Sequence, residues 1–192
     1  NEGESLATRK ASAACLKAMV QEIPNLIGGS ADLAGSNGTN LGLNALNRER
    51  FAGAGTIHFG IREHAMAAVS NGIALHGGLI PYCATFLVFH DYMRPSVRLS
   101  CLMGQRVAYI YTHDSIFLGE DGPTHQPIET LCALRAIPGM KVFRPADANE
   151  TVSAWQAALT YRTGPTAIVL TRQGLPILPA PSTPVHETGA QV

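Results

Sequence analysis

One carboxylate stands where a predicted strand gives way to a predicted helix. Glu63 has three apolar neighbours along the chain, Phe59, Ile61 and Met66. In a structural interpretation, this carboxylate complements the dipole of the helix and pairs with Arg62. In a chemical one, a carboxyl group among apolar side chains keeps its proton to higher pH, so Glu63 would hold or share a proton near neutral pH. Position alone favours the structural interpretation and leaves the chemical one open.

Three aromatic residues recur at intervals of three, Phe86, Phe89 and Tyr92. If one helix carries them, they lie on one face, and such a stripe usually packs into the core. The same stripe can form a wall against a flat heterocyclic ring, because aromatic faces stack on one another. The spacing favours core packing and leaves the aromatic wall as an alternative.

Ionisable side chains gather in residues 112–126, directly after the clearest apolar strand of the sequence. Two of the seven histidines and three of the fourteen acidic residues lie there, namely His113, Asp114, Glu120, Asp121 and His125. A solvated loop can have this composition. Because titratable groups at the carboxyl end of a strand often form sites, the segment is a candidate functional loop.

A glycine-rich segment, residues 28–36, follows another predicted strand. Turn chemistry accounts for its glycines, and Asp32 or Ser36 can simply cap a turn or a helix. The sequence contains no Gly-x-x-x-x-Gly-Lys-Ser/Thr motif, so this segment does not match a P-loop.

The elements that must position these residues alternate between strands and helices. We predict strands at residues 26–27, 56–59, 79–84, 107–111, 140–143 and 166–170. We predict helices at residues 5–20, 61–75, 86–103, 128–134 and 147–160. Ser5 and Asp147 are expected as N-caps. Pro127 should be a first helical residue, and Pro95 should kink or restart its helix.

This alternation also predicts the fold class. The strands are mostly apolar and do not alternate with polar residues, which indicates a parallel sheet buried on both faces. We therefore expect an α/β three-layer sandwich, with a roughly six-stranded parallel sheet and helices on both faces. Ligand sites of such sheets lie at the carboxyl ends of the strands.

The composition excludes several classes of function. Hydrophobic residues make up 46% of the 192 residues and charged residues 15%, which is typical of a globular domain. Lys and Arg number 14, as do Asp and Glu, and no basic cluster dominates, so neither nucleic acid nor an anionic membrane is an expected partner. No apolar run approaches the ~18 residues of a membrane span. Four separated cysteines without a Cys-x-x-Cys pair argue against a disulfide scaffold or a zinc site and favour a reducing compartment.

Six segments, in this order, resemble the central, pyrimidine-binding domain of transketolase, a family of thiamine diphosphate enzymes. They are residues 7–12, 28–33, 60–64, 85–89, 112–115 and 119–127. The resemblance covers about residues 5–173 and implies transfer of a two-carbon ketol unit from a ketose phosphate to an aldose phosphate. Phosphoketolase, 1-deoxyxylulose-phosphate synthase and dehydrogenase β-subunits have similar domains, but residues 28–33 and 112–127 favour transketolase.

The resemblance implies three roles for side chains at the cofactor. Glu63 matches the glutamate that hydrogen-bonds a ring nitrogen of the aminopyrimidine and so takes part in catalysis. Phe86, Phe89 and Tyr92 match the aromatic pocket around that ring. Asp32 matches an acidic residue at the dimer interface near the cofactor.

Further residues are implied at the sugar phosphate. His125 matches a catalytic histidine near the reactive carbon and the substrate hydroxyls, and Asp121 matches an aspartate that binds a substrate hydroxyl. Four side chains match those that hold the phosphate, Arg9, Ser36, His113 and Arg172. Two arginines and a histidine suit a dianion, because guanidinium groups offer paired donors to phosphate oxygens.

One family motif is missing from the sequence. The magnesium and diphosphate site needs Gly-Asp-Gly with a downstream Asn, and this chain contains no Gly-Asp-Gly. The resemblance assigns that site to the amino-terminal domain of a partner subunit. We therefore expect no metal ligands here, a homodimer, and no activity from this chain alone. The family also implies the pentose phosphate pathway and a cytoplasmic location.

The sequence is expected to be a piece of a longer chain. Residues 1–173 are predicted to form the pyrimidine-binding domain, and residues 174–192, with four prolines, a linker toward a carboxyl-terminal domain. Two alternative functions stay open at this point. One is a dimerisation module in which the Glu63 helix packs against its twin. The other is the equivalent domain of phosphoketolase or 1-deoxyxylulose-phosphate synthase.

Overall fold

The computed structural model describes residues 4–42 and 55–179. The strands there are β1 (Ser5–Ala7), β2 (Leu26–Ser30), β3 (Thr56–His58), β4 (Ile80–Phe86), β5 (Ala108–Thr112), β6 (Lys141–Phe143), β7 (Thr166–Val169) and β8 (Gly174–Pro176). The helices are α1 (Thr8–Glu22), α2 (Ala34–Asn37), α3 (Glu63–His76), α4 (His90–Leu102), α5 (Thr130–Arg135) and α6 (Ala148–Thr160). Three short 3-10 turns cover Leu87–Phe89, Ile116–Leu118 and Pro123–His125.

The main sheet has six parallel strands in the order β3-β2-β4-β5-β7-β6. Helices α1 and α6 pack together over one face, and α3 and α4 pack together over the other. The predicted three-layer α/β sandwich with a six-stranded parallel sheet is therefore confirmed.

The central strand β5 shows why the sheet is buried on both faces. Tyr109 and Tyr111 pack into the core under α3 and α4, whereas Ala108 and Ile110 pack into the core under α1 and α6. Successive side chains of a strand point to opposite faces, so a strand between two helical layers is apolar throughout. On the α1–α6 side, the indole of Trp155 also donates a hydrogen bond to the Ser12 hydroxyl at 2.9 Å.

Strand β2 carries two glycines that the sheet requires. A Cβ atom at Gly28 would overlap the carbonyl oxygen of Tyr82 in β4, and one at Gly29 would overlap that of Ile57 in β3. The two neighbouring backbones can approach β2 only because these positions lack side chains. The glycines predicted from turn chemistry thus belong to the strand itself.

The prediction that Ser5 caps the first helix is wrong. Residues Ser5–Ala7 form β1, which pairs antiparallel with β8, and α1 begins at Thr8 without a side-chain cap. Residues 174–176, expected in the linker, supply the partner strand, so ordered structure continues beyond residue 173. The rest of the predicted linker from residue 180 onward, like residues 1–3, lies outside the described residues.

Two helix predictions also need correction. The helix expected at residues 86–103 starts at His90, because β4 continues to Phe86 and a 3-10 turn follows. Of the two alternatives expected at Pro95, the structure excludes the restart, because Pro95 lies inside the single helix α4. Pro127 is not a first helical residue, since α5 begins at Thr130. The predicted Asp147 cap is confirmed, because its side chain accepts a hydrogen bond from the backbone N–H of Glu150.

Candidate functional site

A cavity of about 620 Å³ opens at the carboxyl ends of β2 and β4. Ligand sites in parallel α/β sheets form at this edge. The walls come from the segment after β2, the start of α3, the β4–α4 connection and the loop after β5. Eight of the eleven residues predicted for the site line it, namely Asp32, Ser36, Glu63, Phe86, Phe89, Tyr92, Asp121 and His125.

Glu63 is the first residue of α3 and turns its carboxylate toward this cavity. The residue is 9% exposed, and its carboxylate accepts no hydrogen bond from any other described residue. Arg62, its expected partner, donates from Nη1 to the carbonyl of Phe59 at 3.2 Å instead. Met66 is fully buried, but Ile61 is 78% exposed at the rim, so the apolar surroundings are less complete than the sequence predicts.

The three aromatic residues form a wall that runs from the core to the mouth of the cavity. They do not share one helix, because Phe86 ends β4, Phe89 ends the 3-10 turn and Tyr92 lies in α4. The rings of Phe86 and Phe89 are stacked with centroids 6.0 Å apart, and those of Phe89 and Tyr92 are also 6.0 Å apart. Phe86 is 5% exposed and Tyr92 67% exposed. A core stripe would be buried throughout, so this gradient favours the aromatic wall.

His125 faces the same wall from the loop after β5. Its ring meets Phe89 edge to face at a centroid distance of 5.4 Å. The 3-10 turn Pro123–His125 holds the ring there, and its Nδ1 forms a hydrogen bond with the Thr124 hydroxyl at 2.9 Å. Asp121, on the same loop, is exposed at the cavity mouth.

Three predicted residues, Arg9, His113 and Arg172, do not line the cavity but lie beside it. Arg9 donates from Nη1 to the carbonyl oxygen of Ser36 at 2.7 Å. The guanidinium of Arg172 lies beside Gly119, 3.2 Å from where a Cβ atom would be. Burial, and then the positive charge of Arg172, lower the pKa of Arg9. Two cationic groups are thus held close together at one side of the cavity.

His113 stacks on the back of the aromatic wall. Its ring lies 3.7 Å from the ring of Phe86, centroid to centroid, with an interplanar angle of 21°. Burial, followed by the positive charge of Arg9, lowers the pKa of His113 to about 4. His113 is therefore neutral at pH 7 and can both donate and accept a hydrogen bond.

Sequence reasoning missed a buried polar group below the cavity. Asn37 donates to the Ser30 hydroxyl at 3.2 Å and accepts from the Thr112 hydroxyl at 2.8 Å. The Ser30 hydroxyl also bonds that of Thr39 at 2.6 Å. These residues tie the ends of β2 and β5 to α2. In the sequence, these residues are marked only by small polar side chains after two strands, and ordinary turns contain the same residue types.

Three apolar lining residues, Ala31, Leu33 and Ile61, were likewise not predicted for the site. Asp32, between two of them, has a positive φ of 61° and is exposed at the cavity.

In the two described stretches of chain, no three His, Cys, Asp or Glu side chains come together as metal ligands would. None of the described helices is both long and apolar enough to cross a bilayer. All four cysteines are free thiols.

Comparison with known proteins gives one consistent family. The family described as "Transketolase, pyrimidine binding domain" matches residues 4–177. Transketolase of Cereibacter sphaeroides is 58% identical over 176 residues, which cover 91% of this chain and 27% of that protein. The chain thus spans little more than a quarter of that relative's length.

Solved structures agree with the sequence relatives. Transketolase of Pichia stipitis in complex with sedoheptulose 7-phosphate has a TM-score of 0.90 and 44% identity, covering 97% of this chain and 28% of that one. A structure described as a split-gene transketolase, inactive beta4 tetramer, has a TM-score of 0.74 and 30% identity, covering 94% of this chain and 56% of that one. The family match covers most of the chain, and the six-stranded sheet is shared with these structures. The chain therefore belongs to the transketolase family and comprises its pyrimidine-binding domain.

Proposed function

We propose that this domain binds the aminopyrimidine half of thiamine diphosphate in the cavity beside α3. The observation that carries the proposal is Glu63, a residue that is 9% exposed and whose carboxylate faces the cavity without a partner among the described residues. Its oxygens are open to the cavity and are bound by no other described residue, so they are available to a ligand that brings a nitrogen. The Phe86–Phe89–Tyr92 wall suits the flat ring that would carry it.

In this proposal, each side chain acts on the ring of the cofactor. Glu63 holds or shares a proton at a ring nitrogen, and the aromatic wall orients the ring and excludes water. When bound, thiamine diphosphate supplies the carbanion chemistry of ketol transfer, while the protein tunes protonation. His125 is the further catalytic residue, close to the reacting atoms and the substrate hydroxyls.

We also propose that the domain holds part of a sugar phosphate. Arg9, Arg172 and the neutral His113 would bind the phosphate together with Ser36, and Asp121 would bind a hydroxyl. The proximity of the two guanidinium groups supports this, because their mutual repulsion is relieved by a dianion. The Pichia stipitis relative is described in complex with sedoheptulose 7-phosphate, which is a sugar phosphate.

The complete active site would need a second domain. Magnesium and the diphosphate group would be bound by the amino-terminal domain of a partner subunit in a homodimer, with Asp32 near that interface. The absence of Gly-Asp-Gly from the sequence supports this division. The description of the split-gene relative as an inactive tetramer supports a lack of activity from this domain alone. The reaction would belong to the pentose phosphate pathway in the cytoplasm.

A dimerisation role is compatible with cofactor binding. Helices α3 and α4 pack on each other and leave four aliphatic side chains exposed, Val69, Leu75, Leu99 and Leu102. These exposed aliphatic side chains support contact with a second copy. The named relatives reported above are transketolases, which favours this family over phosphoketolase or 1-deoxyxylulose-phosphate synthase.

The role of Glu63 is tested by Glu63→Gln in the chain combined with the amino-terminal domain, thiamine diphosphate and magnesium. We expect exchange of the thiazolium proton, followed by NMR, to slow by about 100-fold or more, because a positioned acid or base contributes about that much. Thermal stability should be unchanged, since the carboxylate has no protein partner among the described residues.

Glu22→Gln is the matched control, because Glu22 is exposed at the end of α1. Exchange at the unaltered rate in the Glu63→Gln protein would remove Glu63 from the proton transfer. If the unaltered protein shows no exchange above the free cofactor, the domain serves dimerisation without binding the cofactor.

A further inference from the structure

We propose that Arg144, paired with Asp114, is a positioning residue that holds His113 in its left-handed conformation against Phe86. The placement of His113 stands on the structure alone. The expected effect of Arg144 on sugar-phosphate binding rests on the proposed function of His113 in phosphate binding.

His113 has an unfavourable backbone conformation. Its φ is +57°, and within the described residues the only other non-glycine residue with positive φ is Asp32. Side chains with a Cβ atom rarely adopt this region, and such a residue persists when its surroundings fix it. His113 is also buried, so the surroundings that fix it are protein groups.

The residue before His113 is fixed by hydrogen bonds. Thr112 ends β5, and its hydroxyl donates to the Asn37 side chain at 2.8 Å. The same hydroxyl forms a hydrogen bond with Nδ1 of His113 at 2.9 Å. These contacts orient the imidazole but do not involve the chain after His113.

The residue after His113 is fixed by an ion pair. Nε of Arg144 donates to Oδ2 of Asp114 at 2.8 Å, and the Asp114 side chain is 1% exposed. Oδ1 of Asp114 is buried and has no partner among the described residues. A buried carboxylate is costly unless it is paired, so Asp114 depends on this one cation.

Arg144 links the His113 loop to a separate part of the sheet. It directly follows β6, whereas Asp114 follows β5, and β7 lies between these two strands. The pair therefore joins two strand ends that do not touch. Without the cation, Asp114 would turn toward water, and His113 would be free to relax from its positive φ.

This inference predicts a local change that can be seen without substrate. In the 192-residue chain, the ring protons of His113 should show an upfield shift in NMR spectra, because the ring stacks on Phe86 at 3.7 Å. We expect Arg144→Gln to abolish most of that shift and Arg144→Lys to restore part of it. Loss of the His113 signal in a His113→Gln chain assigns the resonance.

Arg135→Gln is the matched control, because Arg135 is an exposed arginine at the end of α5. It should leave the His113 resonance unchanged. Because Arg144→Gln leaves the buried Asp114 carboxylate without its cation, circular dichroism must show that this chain keeps its fold. If Arg144→Gln unfolds the chain, Asp114→Asn supplies the same readout, because it removes the charge that Arg144 pairs with.

A second readout separates the inference from the proposed function. With the amino-terminal domain added, Arg144→Gln should raise KM for a sugar phosphate by about tenfold and change kcat little. A tenfold change corresponds to about 1.4 kcal/mol of binding free energy, lost when His113 leaves its position. An unmoved His113 resonance in the Arg144→Gln and Asp114→Asn chains would overturn the inference. A displaced resonance with unchanged KM would support positioning by Arg144 and remove His113 from phosphate binding.

Discussion

At the scale of single residues, the proposed phosphate site depends on two guanidinium groups that repel each other. Arg172→Ala should raise KM for phosphorylated sugars by about 10- to 100-fold, because a hydrogen bond between charged groups contributes about 1.5–3 kcal/mol. Unphosphorylated analogues should be affected little. Steady-state kinetics of the assembled enzyme measure both. Arg162→Ala, an exposed arginine just after α6, is the control, and equal effects on both sugar types would remove Arg172 from the site.

Two buried histidines predict how stability depends on pH. Burial lowers the pKa of His90 and of His113 from 6.5 to about 4. Between these values the unfolded chain binds more protons than the folded one, so the free energy of unfolding should fall as the pH is lowered from about 6.5 to 4. Urea denaturation at pH 7 and pH 5 measures the fall.

The His113→Gln chain should lose part of that dependence, whereas His76→Gln, which alters an exposed histidine at the end of α3, should retain it all. A pH dependence that is identical in the three proteins would show that His113 titrates normally in the folded state.

The sequence placed a residue at the cavity correctly where its signal lies in its own neighbourhood along the chain. Glu63 and His125 were singled out from neighbouring residues, and both line the cavity. Arg144 was not, because its contact with Asp114 joins residues 30 positions apart. The positive φ of His113 was not predicted either, because histidine adopts this region more often than most residues but does not require it.

At the scale of elements, Asp147 joins α6 to the end of the described chain. Its Oδ1 accepts from the backbone N–H of Glu150 and its Oδ2 from that of Leu178, both at 2.9 Å. Asp147→Ala should lower the free energy of unfolding by about 2 kcal/mol, since it removes a helix cap and a second hydrogen bond. Urea denaturation measures the loss. Asp147→Asn keeps one acceptor oxygen and should lose less, and equal losses would argue against the capping role.

Predictions of elements succeeded where the signal is local. The six strands of the main sheet were found from short apolar runs between turn residues. Strands β1 and β8 were missed, because each has three residues and gains its partner from the far end of the chain. The helix predicted to carry Phe86, Phe89 and Tyr92 is wrong. The three residues keep one side of the chain although they belong to a strand end, a 3-10 turn and a helix.

At the scale of the whole molecule, the proposed half-site predicts conditional activity. This chain with thiamine diphosphate, magnesium, xylulose 5-phosphate and ribose 5-phosphate should show no ketol transfer. Adding the amino-terminal domain of a transketolase should produce it, because magnesium–diphosphate contacts would then anchor the cofactor. A coupled assay of the aldose product measures both. The added domain alone is the control, and transfer by this chain without it would contradict the half-site.

The pairing of β1 with β8 affects how this domain can be joined to other domains in one polypeptide. Ser5 lies opposite Pro176, so the polypeptide enters and leaves the folded unit at the same place. A unit with adjoining ends can be inserted into a longer chain, or separated from it, without breaking its internal contacts. The same sheet and cavity can therefore serve as the middle of one long polypeptide or as the start of a shorter subunit. Fusion or fission of genes would then alter only how the domain is connected to its neighbours and would leave its internal contacts intact.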